Sequence, residues 1–94
     1  MATYFMFGKY SIEGAKGISA VRTESGNKLV EKSGGKVQSM YALMGEKDIV
    51  VIATFPDSIS AMKASVALSK LTGITFTTSE AISVKDFDAI ASET

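Results

Sequence analysis

The sequence predicts an α+β fold, with strands and helices in the order β-α-β-β-α-β and a short helix at the end. Three observations carry this. Stretches with a two-residue apolar period give way to stretches with a three- to four-residue period and back again. Glycine or Pro-Asp marks the changeovers at Gly34-Gly35, Gly45, Pro56-Asp57 and Gly73. Between two of these marks, Ile49 to Phe55 forms a run that is apolar on both faces.

Taken in order, Tyr4 to Lys9 is aromatic-rich and stops near Gly8, which predicts a first strand. Within the stretch from Ser11 to Lys36 the period changes to that of a helix, with Ile18, Val21, Ser25 and Leu29 on its apolar stripe, Glu24 and Lys28 as a surface pair, and Gly14 and Gly17 leaving its start open. Gly26 inside it costs about 1 kcal/mol relative to Ala, and Gly34-Gly35 supplies a left-handed stop. Lys36 to Leu43 alternates as a second strand, with Val37, Ser39, Tyr41 and Leu43 on one side. Gly45-Glu46-Lys47-Asp48 separates it from the third strand, Ile49 to Phe55, as a hairpin loop would.

Asp57 or Ser58 can cap the second long helix, in which Ile59, Met62 and Val66 form one stripe and Ala61, Ser65 and Leu68 its neighbour. Gly73 ends that helix, and "ITFTTSEAI" has the β-branched content of a fourth strand. Ser83 and Asp86 then make a capping arrangement ahead of a small amphipathic helix carrying Val84, Phe87 and Ile90. This is the ferredoxin-like order, in a single domain over residues 1–94.

Two helices on one face of such a sheet leave the other face open, so its strands should alternate apolar and polar. Here Ile49, Val51, Ala53 and Phe55 face one way, yet Val50 and Ile52 face the other, and Tyr4 and Met6 oppose Phe5 and Phe7. A second copy packed sheet to sheet explains the second apolar face, giving a dimeric α/β barrel. On this reading Val51→Asp is the substitution that tests the packing.

Composition excludes several functions. Ten Lys or Arg balance ten Asp or Glu, so no net charge draws the chain to nucleic acid or to an anionic membrane. With no cysteine and no histidine there is no disulfide, zinc finger, thiol nucleophile or imidazole base. Acidic residues are scattered without the spacing of a metal site, and no nucleotide-binding glycine motif occurs, so neither metal nor cofactor is expected. The apolar start lacks a basic leader and reads as part of the fold, and no run reaches the roughly 18 residues of a membrane span. A cytoplasmic protein is the expectation.

The stretches "AVRTE", "GGKVQSMYALMGEKDIVVIATFPD" and "GITFTTSEA", with the Ala-rich second helix, resemble the GYD family of dimeric α/β-barrel proteins. Tyr41, Gly45, Asp48, Pro56 and Asp57 fit the family pattern of a strand tyrosine, a Gly-x-Tyr-Asp turn, an aliphatic run and a Pro-Asp ending. Lys47 stands where the family's name-giving tyrosine would be, so no role of that tyrosine carries over. The resemblance implies fold and homo-oligomeric habit more than activity, since related barrels host enzymes and regulators alike.

Four residues are candidates for ligand contact. Arg22, the single arginine, can clamp a carboxylate or phosphate, or serve only as helix surface. Tyr41 and Tyr4 can line a cleft for a small aromatic ligand, or fill core with the hydroxyl at its edge. Asp48 can bind a ligand at the hairpin tip, or make turn contacts. Met40, Met44 and Met62 read as core filler. The function expected is a homodimer, or multiple of dimers, that binds a small molecule or regulates without catalysis. The alternative is a cofactor-free enzyme acting on a small aromatic or activated substrate through Tyr41, Arg22 or Asp48.

Overall fold

The computed structural model describes residues 1–94. Strands β1 (Ala2–Tyr10), β2 (Lys36–Ala42), β3 (Ile49–Phe55) and β4 (Ile74–Ala81) form one antiparallel sheet in the order β2-β3-β1-β4. Helices α1 (Ile12–Lys16) and α2 (Ala20–Lys32) follow β1, α3 (Ser58–Thr72) follows β3, and α4 (Val84–Glu93) ends the chain. This is the ferredoxin-like arrangement expected, and α2 and α3 bury their inner residues against one face of the sheet.

The core lies between these layers. Tyr4 and Met6 of β1, Val51, Ala53 and Phe55 of β3, Val30 of α2, and Ala61, Ala64 and Leu68 of α3 form one buried cluster. The rings of Tyr4 and Phe55 meet edge to face, their centroids 5.7 Å apart, an arrangement aromatic quadrupoles favour. Buried Ser65 receives the hydroxyl of Thr78 at 3.0 Å, so the one polar residue of the core has a partner.

The first helical stretch is two helices instead of one. Ser11 caps α1 by accepting the Gly14 amide, and Ser19 starts α2 afresh by accepting the Arg22 amide at 3.1 Å. The new cap resets the helix phase. Ile18 lies ahead of α2 and, like Val21, is exposed, Leu29 of the expected stripe packs against the core, and the fully buried residues of α2 are Gly26 and Val30. Gly26 is buried where α2 faces α3, and a Cβ there would lie 3.4 Å from Leu68 Cδ2, an ordinary contact distance. At the other end of α2, Gly34 takes a φ of 91°, and the Gly35 and Gly34 amides donate to Val30 and Glu31 carbonyls, both at 3.0 Å. This is the left-handed stop read from the glycine pair.

A bulge changes β2. Val37 pairs with Ala53 and Ser39 with Ile52, leaving Gln38 as the extra residue. Val37 and Met40 thus turn toward the helices while Ser39 and Tyr41 turn away, which breaks the unbroken alternation expected from sequence. The methionines also differ from expectation. Met40 packs against the core, but Met44 at the hairpin tip and Met62 on α3 are exposed. On α3 the buried stripe is Ala61, Ala64, Ser65 and Leu68, and Ile59, Met62 and Val66 face out.

The sheet's second face carries no helix. Phe5 and Phe7 of β1 lie opposite Ile52 and Val50 of β3, with Tyr41 beside Val50 on β2. Val51 belongs to the helix side and is 4% exposed, so a charge there strikes the monomer's own core, and Ile52, only partly buried, is the residue of β3 that probes the bare face. Helix α4 is capped by Ser83, whose hydroxyl accepts the Asp86 amide, yet none of its residues is buried. The radius of gyration is 14.2 Å, against about 12 Å for a compact chain of this length. The molecule is elongated because its terminal helix finds little of its own chain to cover.

Candidate functional site

The end of the sheet where β1 runs into α1 gathers most of the polar chemistry. Asp48, at the close of the β2–β3 loop, accepts the Tyr10 backbone N–H on Oδ2 at 2.7 Å and donates its own N–H to the Gly8 carbonyl at 2.9 Å. Its carbonyl takes the Leu43 amide at 2.8 Å. Lys9 Nζ reaches the Glu46 carbonyl at 3.0 Å, tying the same loop down again. Asp48 thereby fixes the loop to β1. Gly45, with a φ of 119° and open space around it, supplies the turn.

Tyr10 is the hub of this region. The Arg22 guanidinium lies over its ring, 5.7 Å from the centroid, and donates to the Gly14 carbonyl. Gly17 leaves room for that guanidinium, since a Cβ there would come within 2.8 Å of it. Arg22 pins α1 against α2 and has no carboxylate partner, because the chain's two ion pairs are Lys16–Glu13 and Lys28–Glu24.

Below α2 this region opens into a cavity of about 70 Å³. Its floor is apolar: Ile49, Ile74 and Phe76 close over Gly8, where an added Cβ would lie 2.6, 2.8 and 3.0 Å from their side-chain carbons. Its roof is the inner face of α2, with Arg22 near one end and Asn27 and Val30 further along. Asn27 Oδ1 is buried and accepts no hydrogen bond. An orphaned acceptor of this kind is uncommon in folded proteins and calls for an occupant or a cause.

The four residues singled out from sequence do not converge. Arg22 and Asp48 meet around Tyr10. Tyr4 sits in the core toward the other end of β1, where its hydroxyl donates to Glu80 Oε1 at 3.2 Å. Burial, first, and the Glu80 carboxylate, second, raise its pKa above the ordinary tyrosine value. Tyr41 lies exposed on the bare face of the sheet. Tyr10 and Asn27 carry no motif that sequence reading could seize on. Tyr10 stands just past an aromatic strand, and Asn27 becomes inward-facing only once Ser19 resets the phase of α2.

No group of three His, Cys, Asp or Glu side chains is placed to hold a metal ion, and no helix is long and apolar enough to cross a membrane.

With this geometry in view, residues 4–91 match the GYD domain. The chain belongs to the GYD domain family. No curated protein matches it in sequence. Among solved structures, the GYD chain is similar to the Mycobacterium tuberculosis leucine response regulatory protein LrpA, with a TM-score of 0.58 and 10% identity. The likeness covers 87% of the GYD chain and 51% of LrpA, so the GYD chain spans about half the length of that regulator. At this identity the comparison concerns fold, and it agrees with the ferredoxin-like topology seen here.

Proposed function

We propose that this GYD protein is a non-catalytic homodimeric module, two sheets closing face to face into an α/β barrel, that binds a small molecule or serves a regulatory role. The bare sheet face carries the reading. Phe5, Phe7, Val50 and Ile52 form an apolar centre edged by Thr3, Thr54, Thr77 and Ser79, which is a hydrophobic middle with a polar rim. Such a patch on a small chain marks an interaction surface. The groove lined by Phe5, Ile52, Ile82 and Asp86 joins this face to the start of α4, whose exposed Val84, Phe87 and Ile90 extend the apolar surface. In a two-fold pair each α4 would lie against the other copy.

Binding fits the polar groups better than catalysis does. Arg22 and Asp48 already hold backbone groups, and Tyr4 and Tyr41 lie in other parts of the fold. The occurrence of a similar fold in a protein named as a leucine response regulatory protein supports the regulatory side of the reading. Native mass spectrometry of the gently purified protein tests it: a dimer, or a multiple of dimers, with retained small-molecule mass is the expected result. A bare monomer at micromolar concentration would overturn it.

A further inference from the structure

Helix α3 carries an outward stripe that its own chain leaves bare. Ile59, Met62 and Val66 lie away from the buried Ala61, Ala64, Ser65 and Leu68, and they are exposed over 67%, 65% and 49% of their surface. At about 100° of turn per residue, Lys63 and Lys70 fall together along one flank of that stripe. No acidic residue occurs between Ser58 and Thr72, so the outer surface of α3 is apolar and positive. Helix α4 is its counterpart. Val84, Phe87 and Ile90 form its apolar stripe, with Asp88 on one flank and Asp86 and Glu93 on the other, and none of its residues is buried. Three carboxylates against the single Lys85 leave α4 negative. None of these charges has an ion-pair partner, because the chain's pairs are Lys16–Glu13 and Lys28–Glu24.

We propose that the outer stripe of α3 is the seat of α4 from a second copy of the chain. The apolar stripes of the two helices cover one another, and the carboxylates of α4 lie beside Lys63 and Lys70. Charge selects this pairing. Packing α3 on α3 would set lysine beside lysine, and α4 on α4 carboxylate beside carboxylate, and like charges face to face are penalised. Length allows it, since the 10 residues of α4 span about 15 Å and the 15 residues of α3 about 22 Å. The seat lies on the helix-covered side of the sheet, so a copy can use it and the bare sheet face together. In a two-fold arrangement each copy gives one α4 and receives one. The inference rests on the placement of α4 against another copy in the proposed function and goes beyond it in naming the surface that α4 meets.

The chain has no cysteine, so single introduced cysteines report contacts between copies without ambiguity. Copies with Ile90→Cys are mixed with copies carrying Met62→Cys, and separately with copies carrying Ile52→Cys, then mildly oxidised. A mixed disulfide between the Ile90→Cys and Met62→Cys copies, in excess over self-linking, is the expected result. Linking chiefly to Ile52→Cys, or of Ile90→Cys to itself, overturns the proposal, and the first of these leaves the sheet-to-sheet pair standing. Charge reversal tests the same contact without demanding disulfide geometry. Lys63→Glu with Lys70→Glu changes only exposed side chains, as does Asp88→Lys with Glu93→Lys, which spares Asp86 in the first turn of α4. Each reversed protein should self-associate about tenfold more weakly at low salt. An equimolar mixture should recover the native affinity, because each α4 then meets an α3 of opposite sign. Sedimentation velocity reads both steps, and circular dichroism establishes that each protein is folded. Recovery in the mixture upholds the contact. An unchanged affinity, or a loss that mixing does not restore, overturns it, while the Ile52→Glu protein reports the sheet-to-sheet pair independently.

Discussion

Phe5 of β1 and Ile52 of β3 lie directly across from one another on the side of the sheet that no helix covers. A cross-strand aromatic and β-branched pair is a stabilising unit of a sheet, but its outer surface still faces water in a lone chain. Ile52→Glu is therefore expected to leave the monomer folded and to weaken self-association by about a hundredfold or more, roughly 3 kcal/mol, because the charge would be buried between copies. Sedimentation velocity with circular dichroism checks both halves. Unchanged association of a folded Ile52→Glu protein would remove this face from the interface.

Helix α4 makes a parallel prediction. Phe87 is more than half exposed and lies on the same stripe as Val84 and Ile90. Phe87→Ser should lower the melting temperature of a dilute monomer very little, since the ring covers little of its own chain. It should raise the dimer dissociation constant about tenfold if the helix lies on the other copy. Measuring both concentrations in one thermal-shift series separates the two effects.

Gly35 meets the most deeply buried ring of the fold. A Cβ there would sit 2.5 Å from Phe55 Cε1 and 2.9 Å from the Thr54 carbonyl, and neither Phe55 nor the β3 backbone has room to move. Gly35→Ala should cost about 1–3 kcal/mol by overpacking, read as a lower urea midpoint at an unchanged slope. Gly45→Ala meets no atom within 4 Å and should cost only the strain of its positive φ.

These contrasts show which parts of the molecule were legible in the sequence. Element order, the hairpin, the Asp57 and Ser83 caps and the glycine stops follow from local chemistry, and local chemistry survives folding. The inward face of α2 followed only in part: Leu29 packs against the core as its stripe implies, but Ile18 lies ahead of the Ser19 cap and the fully buried residues are Gly26 and Val30. The faces of β2 were lost to a single bulge at Gln38, which moves every later side chain to the opposite side. The candidate site suffered more than the fold. Arg22 and Asp48 were readable as isolated chemistry, but Tyr10, which brings them together, and Asn27, which leaves an acceptor open, acquire meaning only from tertiary contacts.

Asp57 links one of those caps to acid stability. Its Oδ1 accepts the Ser60 backbone N–H at 2.7 Å, and this bond, with the charge of Lys63 in a lesser role, holds the carboxyl below the ordinary value. A depressed folded-state pKa contributes stability that is present above the unfolded value of about 3.9 and is lost as pH falls through the folded value. Asp57→Asn keeps an effective cap without titrating. Its stability should therefore decline less than that of the native chain between about pH 5 and pH 2, as followed by urea midpoints across that range.

Tyr4 predicts the opposite edge of the pH range. Its raised pKa means that the protonated phenol, buried and donating to Glu80, is the form the folded chain holds. Stability from this group is fully present below the ordinary tyrosine value of about 10 and is lost as pH rises through the higher folded-state value. Tyr4→Phe keeps the ring against Phe55 and removes the titration, leaving exposed Glu80 to water. The variant should be somewhat less stable than the native chain near neutrality, through the lost hydrogen bond, and should lose less stability above pH 10. Urea midpoints measured at pH 7 and in the alkaline range decide it: parallel alkaline losses in the two proteins would mean that Tyr4 does not control this transition.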